Sequence, residues 1–259
     1  MVIHTHVIST IDISCQNNTI PLSLQSDGCR DFIIDTLCRQ LVLLSIIELS
    51  LLQTTIDKEL VMIVWTQQKL AFWEALERDG IAYCMKESWL YKECSYAYDW
   101  LVSEMQHRLS PPPVPEIKLP LWCWTQYGSY KLRKPKFSPS KDDNGNYSEV
   151  LIEADIPDEL LLQSNFYLWS CHCLNGWQIG DKKLEKEIEE YGHTHNTSGK
   201  HFLSYPEDLQ QRIMKSWECI FNLDYRNRRY HNHPRRNKPI QATFWLFKRE
   251  WIRSVRFSK

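Results

Sequence analysis

Glycine is scarce, with eight in 259 residues, and none of them falls in a G-x-G-x-x-G or P-loop pattern. Two common glycine-built phosphate cradles are therefore excluded. The G-x-S-x-G and H-E-x-x-H patterns are absent too, which removes a nucleophile-elbow hydrolase and a zincin. The apolar run L41-V-L-L-S-I-I47, flanked by Arg39 and Glu48, is too short to span a bilayer, so no membrane association is expected. Nine cysteines lie scattered without the spacing of a disulfide framework, and no secretory signal precedes them; the expected location is a reducing cytoplasm. Cys171-His172-Cys173 with His193 and His195 matches neither usual zinc spacing, so no metal is expected. Acidic residues are nearly missing from 226–259, where eleven Lys/Arg face one Glu, a net of +10. Residues 1–61 have the opposite bias, three Lys/Arg against seven Asp/Glu.

What the chain does have is aromatic surface. Eleven Trp, twelve Tyr and nine Phe within a 43% hydrophobic composition are enough for a substantial core, with rings to spare for a pocket wall. Before residue 62 aromatics are nearly absent, and helical patterning is confined to about 31–52. The expectation is a poorly ordered or spurious N-terminal extension over 1–61 with one helix, followed by a single α+β domain over 62–259.

Within that domain the pattern predicts a strand at 63–66 and a helix at about 69–79 stopped by Gly80. A helix from about Tyr96 to Leu109 ends at Pro111-Pro112-Pro113-Val114-Pro115. Strands are predicted at 119–124 and 150–155, with a turn at K141-D-D-N-G-N146 between them. Pro157-Asp158-Glu159 suits a first helical turn, with helix from Leu160 to Leu174. Further helices are predicted at 181–191 and about 206–221, and K248-R-E-W-I-R-S-V255 follows as a final segment. In I240-Q-A-T-F-W-L-F247, strict alternation sends Gln241, Thr243, Trp245 and Phe247 to one face and Ile240, Ala242, Phe244 and Leu246 to the other.

These residues carry a resemblance. V64-W-T-Q-Q68, A97-Y-D-W-L-V-S-E-M-Q-H-R108, Pro120-Leu121-Trp122-Cys123-Trp124, D155-I-P-D158, L161-L-Q-S-N165, K215-S-W-E-C-I-F221 and I240-Q-A-T-F-W245 occur in order and span almost all of 62–259. They resemble a bacterial and phage family known as domain of unknown function 3841. The family pattern carries Leu-Leu-Ser-Asp where this chain has Leu162-Gln163-Ser164-Asn165. The layout is also distantly similar to ADP-ribosyltransferases of the DNA-modifying toxin type, with a first strand, a helix ended by Gly, a Tyr opening a second helix and a polar residue on a late strand. That similarity implies a mixed, mainly antiparallel sheet split into two small parts with flanking helices. It also implies NAD as substrate.

On that layout Thr66 and Gln68 would bond the ribose hydroxyls, Tyr98 or Trp100 would stack the nicotinamide, and Gln241 would stand where the family's catalytic Glu stands. Gln241 and Tyr98 are then the catalytic candidates, and Thr66, Gln68 and Trp100 the cofactor-binding ones. Breaking the glycosidic bond builds positive charge on the ribose, and an amide supplies none of the opposing charge. Arg226, Arg228, Arg229, Arg235, Arg236 and Lys238, interleaved with Tyr230, His231 and His233, could grip a phosphate backbone just before the Gln241 strand. The expected function is an ADP-ribosyltransferase-like enzyme, a toxin or phage-defence component acting on nucleic acid or protein. The alternative is a non-catalytic module binding nucleic acid or a cognate protein partner.

Overall fold

The computed structural model describes residues 60–84, 89–139, 148–195, 202–229 and 231–257. The described residues all belong to one compact unit, Glu59–Lys259. The expected N-terminal extension, the helix at 31–52, the apolar run at 41–47 and the turn at 141–146 lie outside them.

β1 (Val61–Lys69) leads into α1 (Leu70–Asp79) and the short β2 (Ile81–Tyr83). α2 (Trp89–Glu93) and α3 (Ser95–Arg108) precede β3 (Leu121–Gln126) and β4 (Glu149–Pro157). β5 (Leu162–Asn165) follows, then α4 (Phe166–Cys171), α5 (Lys182–Thr194) and α6 (Glu207–Trp217). β6 (Ile240–Phe244), β7 (Leu246–Lys248) and β8 (Ile252–Phe257) close the chain. Six strands form one antiparallel sheet in the order β5-β6-β3-β1-β4-β8, and β2 pairs with β7 in a separate ribbon. The fold is mixed α+β with mainly antiparallel strands. The expected division into two small parts is corrected to one large sheet and one two-stranded ribbon.

The sheet is built around β1, which pairs with β4 over nine positions from Val61↔Pro157 to Lys69↔Glu149. Alternation on β4 puts Val150, Ile152, Ala154 and Ile156 on one face, all fully buried. That face packs with Val64, Ala242, Phe244, Phe247 and Leu76 of α1 in one core. Burying each such large side chain contributes about 1.5–3 kcal/mol. Gly80 ends α1 at φ 76, donating its amide to the Leu76 carbonyl, a left-handed stop that a Cβ would strain. The other face of the sheet lies under α3, α4 and α6, where Tyr96, Leu101, Met105, Leu162, Trp169, Ile213, Trp217 and Trp245 form the second core.

Two stretches depart from the sequence pattern. Helix does not run from Leu160 to Leu174: Asp158–Leu160 is one 3-10 turn, and Leu162–Asn165 is an edge strand paired with β6. Asn165 then caps α4, its Oδ1 accepting from the amides of Tyr167 and Leu168. Sheet pairing overrides the local helical pattern there. Ile240 to Phe247 is also not one strand. It breaks at Trp245, whose indole turns into the second core and donates to the Ser110 carbonyl at 2.8 Å. Phe247 thereby joins Phe244 in the first core, with ring centroids 5.8 Å apart, instead of sharing a face with Gln241.

Candidate functional site

β1 and β3 pair through a single register position, Trp65↔Trp124, whereas β1 and β4 pair through nine. Beyond that point the two central strands separate. A side chain spans the gap: Thr66 Oγ1 donates to the Trp122 carbonyl at 2.7 Å and accepts from Gln68 Nε2 at 2.8 Å. Thr66 is buried, so this relay is shielded from water.

Beside the relay lies a cavity of about 290 Å³, lined by Gln67, Gln68, Cys84, Tyr91, Tyr98, Leu119, Pro120, Leu121 and Trp122. The aromatic wall is interlocked, since Tyr98 meets Tyr91 at 5.7 Å, Trp122 at 6.4 Å and Trp169 at 5.5 Å, each edge-on. Burial pushes the Tyr98 phenol up to about 12, so it stays neutral across the physiological range. Gln67 donates to Glu149 at 2.6 Å, and that carboxylate also accepts from Lys69 at 2.7 Å, which compensates its charge. The cavity therefore offers flat rings, two amides and no free ionic charge. A flat, neutral, hydrogen-bonding ligand matches it best.

The sequence candidates fall into separate groups. Gln68 and Tyr98 line the cavity, and Thr66 holds Gln68 from behind. Trp100 does not reach it: two residues from Tyr98 on α3, its ring stacks on Phe221 and meets Trp217 edge-on in the second core. Gln241 does not line it either. Its register partners are Trp124 on β3 and Ser164 on β5, which puts it on the opposite sheet face from Thr66. By alternation with Trp124, Trp122 shares the face of Gln241, so the cavity at the gap between β1 and β3 meets both faces of the sheet, and Gln241 is not among its lining residues. Gln67, Tyr91 and Trp122 are lining residues that sequence order missed. The run Pro120-Leu121-Trp122-Cys123-Trp124 is a visible signal, but only the separation of β1 from β3 exposes Trp122 to the cavity.

The basic segment stands at the other end of the central strands. Gln126 donates to the carbonyls of Arg235 at 3.1 Å and Lys238 at 2.6 Å, whereas the cavity adjoins Leu121. Five residues of strand put roughly 17 Å between them. The segment therefore does not overhang the cavity. Lys238 is fully buried, its ammonium donating to the carbonyls of Leu223 and Tyr225, and burial lowers its pKa. Arg229 is paired with Glu185 at 2.6 Å. Arg226, Arg228, Arg235 and Arg236 are exposed.

A second hollow, about 190 Å³, lies between His172, Trp177, Tyr205 and the α5 carboxylates Glu185 and Glu189. Burial lowers the His172 pKa, so its imidazole stays neutral at physiological pH. Among the described residues no group of three His, Cys, Asp or Glu could hold a metal ion, and no helix is long and apolar enough to cross a membrane.

A family model described as Domain of unknown function (DUF3841) matches residues 63–253. No curated protein and no solved structure matches the chain.

Proposed function

The chain belongs to the DUF3841 family, and since that membership specifies no reaction, we propose from the cavity that the protein is ADP-ribosyltransferase-like and binds the nicotinamide end of NAD. The observation that carries the reading is the convergence of Gln68, Tyr98 and Trp122 on one cavity at the separation of β1 from β3. Nicotinamide is a flat ring with one carboxamide. Tyr98 and Trp122 offer it aromatic surface, and Gln67 and Gln68 offer the complementary amides. A volume near 290 Å³ falls just below the range of small-ligand pockets, about 300–1,000 Å³, and suits one end of a dinucleotide rather than the whole.

Transfer would break the glycosidic bond and build positive charge on the ribose. With Gln241 outside the cavity and no uncompensated carboxylate in its wall, that charge lacks a partner. A missing charged partner in a dry site slows such a step by about a hundredfold to a thousandfold. Binding should therefore be easier to detect than turnover. The biological setting we propose is a toxin or phage-defence component modifying nucleic acid or protein.

The test is to incubate the full chain with NAD labelled in the adenylate half and cell lysate, following transfer and nicotinamide release. Slow release that disappears in Gln68→Ala supports the reading. Wild-type protein that neither binds nor consumes NAD refutes it. The alternative, a non-catalytic nucleic-acid-binding or partner-binding module, is favoured by one observation, the solvent exposure of Arg226, Arg228, Arg235 and Arg236.

A further inference from the structure

Residues 127–139 contain four Lys/Arg and no Asp or Glu. They begin as a tight hairpin closed by Tyr127 N to Arg133 O at 2.8 Å and Gly128 N to Leu132 O at 3.0 Å. The hairpin is joined to the arginine segment by Tyr130 N donating to the Arg236 carbonyl at 2.7 Å. Gln126, at the hairpin's base, holds the carbonyls of Arg235 and Lys238. Two basic stretches about a hundred residues apart thus form one surface.

That surface carries rings as well as charge. Tyr130 is 52% exposed and Tyr127 39% exposed. The Lys131 ammonium lies 5.7 Å from the centre of the Tyr130 ring, so the phenol already stands in a cationic setting. Lys131, Arg133, Arg235 and Arg236 are exposed. Buried Lys238, on the carbonyls of Leu223 and Tyr225, fixes the segment from beneath, so its arginines are presented from an ordered base.

We propose that this composite face of Tyr127, Tyr130, Lys131, Arg133, Arg235 and Arg236 binds single-stranded nucleic acid. The cations track the phosphates, and the two phenol rings receive unpaired bases. Exposed rings among cations discriminate against a duplex, whose bases are already stacked, and against acidic protein, which has no planar base to offer. The face stands apart from the cavity and does not depend on NAD binding there.

The experiment is fluorescence anisotropy of the full chain with a labelled 20-nucleotide deoxythymidine strand, the matching duplex and poly-glutamate, over a salt series. Single strand should bind most tightly, with affinity falling steeply as salt rises. Tyr130→Ala should weaken it about tenfold or more, while Tyr130→Phe retains it. Arg235→Glu with Arg236→Glu should weaken binding and flatten the salt slope by about one for each phosphate no longer held. Arg78→Glu, on α1 and paired with Asp79 rather than with the composite face, serves as the basic control and should leave affinity unchanged. All these positions are surface-exposed, so the variants should fold. The proposal is overturned if single strand does not bind at low salt, if Tyr130→Ala binds as well as wild type, if Arg78→Glu loses as much as the paired arginine variant, or if duplex or poly-glutamate binds equally tightly.

Discussion

Thr66 donates its hydroxyl proton to the Trp122 carbonyl at 2.7 Å where β1 and β3 stop pairing, and the same oxygen accepts from Gln68. The contact ties β1 to β3 through a side chain beside the position where their register pairing ends. Thr66→Val preserves the shape but removes the donor and the acceptor, leaving the carbonyl and the Gln68 amide without this partner. It should cost about 1–2 kcal/mol in urea unfolding, and Thr66→Ser should recover most of it.

Phe247 is fully buried and meets Phe244 and Phe72 at 5.8 and 6.3 Å. With the break at Trp245 rotating it into the first core, Phe247→Ala should cost about 3–5 kcal/mol by chemical denaturation. A cost near that of a surface change would mean the alternation continues unbroken through 247.

Asn165 caps α4 by accepting from two amides. Removing the cap with Asn165→Ala should cost about 1 kcal/mol, whereas Asn165→Asp should keep it. Thermal unfolding of the two variants checks this.

His231 is buried at 7% exposure, and its pKa is pushed down to about 4 by burial, with Lys238 and His233 adding to the effect. Between pH 6.5 and about 4 the unfolded chain takes up a proton that the folded one refuses. Its contribution is therefore complete above 6.5 and is lost as pH falls through that window. Unfolding free energies measured at about pH 7 and about pH 4.5 should differ less for His231→Leu than for wild type.

Much of the architecture was legible because local and tertiary preferences agree. Gly80 ends a helix wherever it occurs in that context, and Asp181, Pro206 and the proline run each mark a boundary that the fold respects. Leu162–Asn165 was not legible, because its helical spacing loses to a β6 edge that must be paired. Nor was the break at Trp245, since alternation continues in sequence and only the competing pulls of two cores stop it. At the candidate site, chain order placed Gln68 and Tyr98 together. It could not tell that Gln241 stands outside the cavity, because which residues a strand meets is set by register with its neighbours. The hairpin at 127–133 reads in sequence as a polar connection, since only the Tyr130 to Arg236 bond makes it part of a charged surface.

The most direct test is calorimetric titration of the full chain with NAD and, separately, with nicotinamide, for wild type, Gln68→Ala and Tyr98→Leu. Circular dichroism would verify that both variants remain folded. We predict that wild type binds both ligands and that each substitution weakens both by about tenfold or more, as expected for the loss of a buried hydrogen bond or a stacking ring. Binding of NAD that is unchanged by both substitutions, or no binding of either ligand by wild type, would contradict the assignment of this cavity.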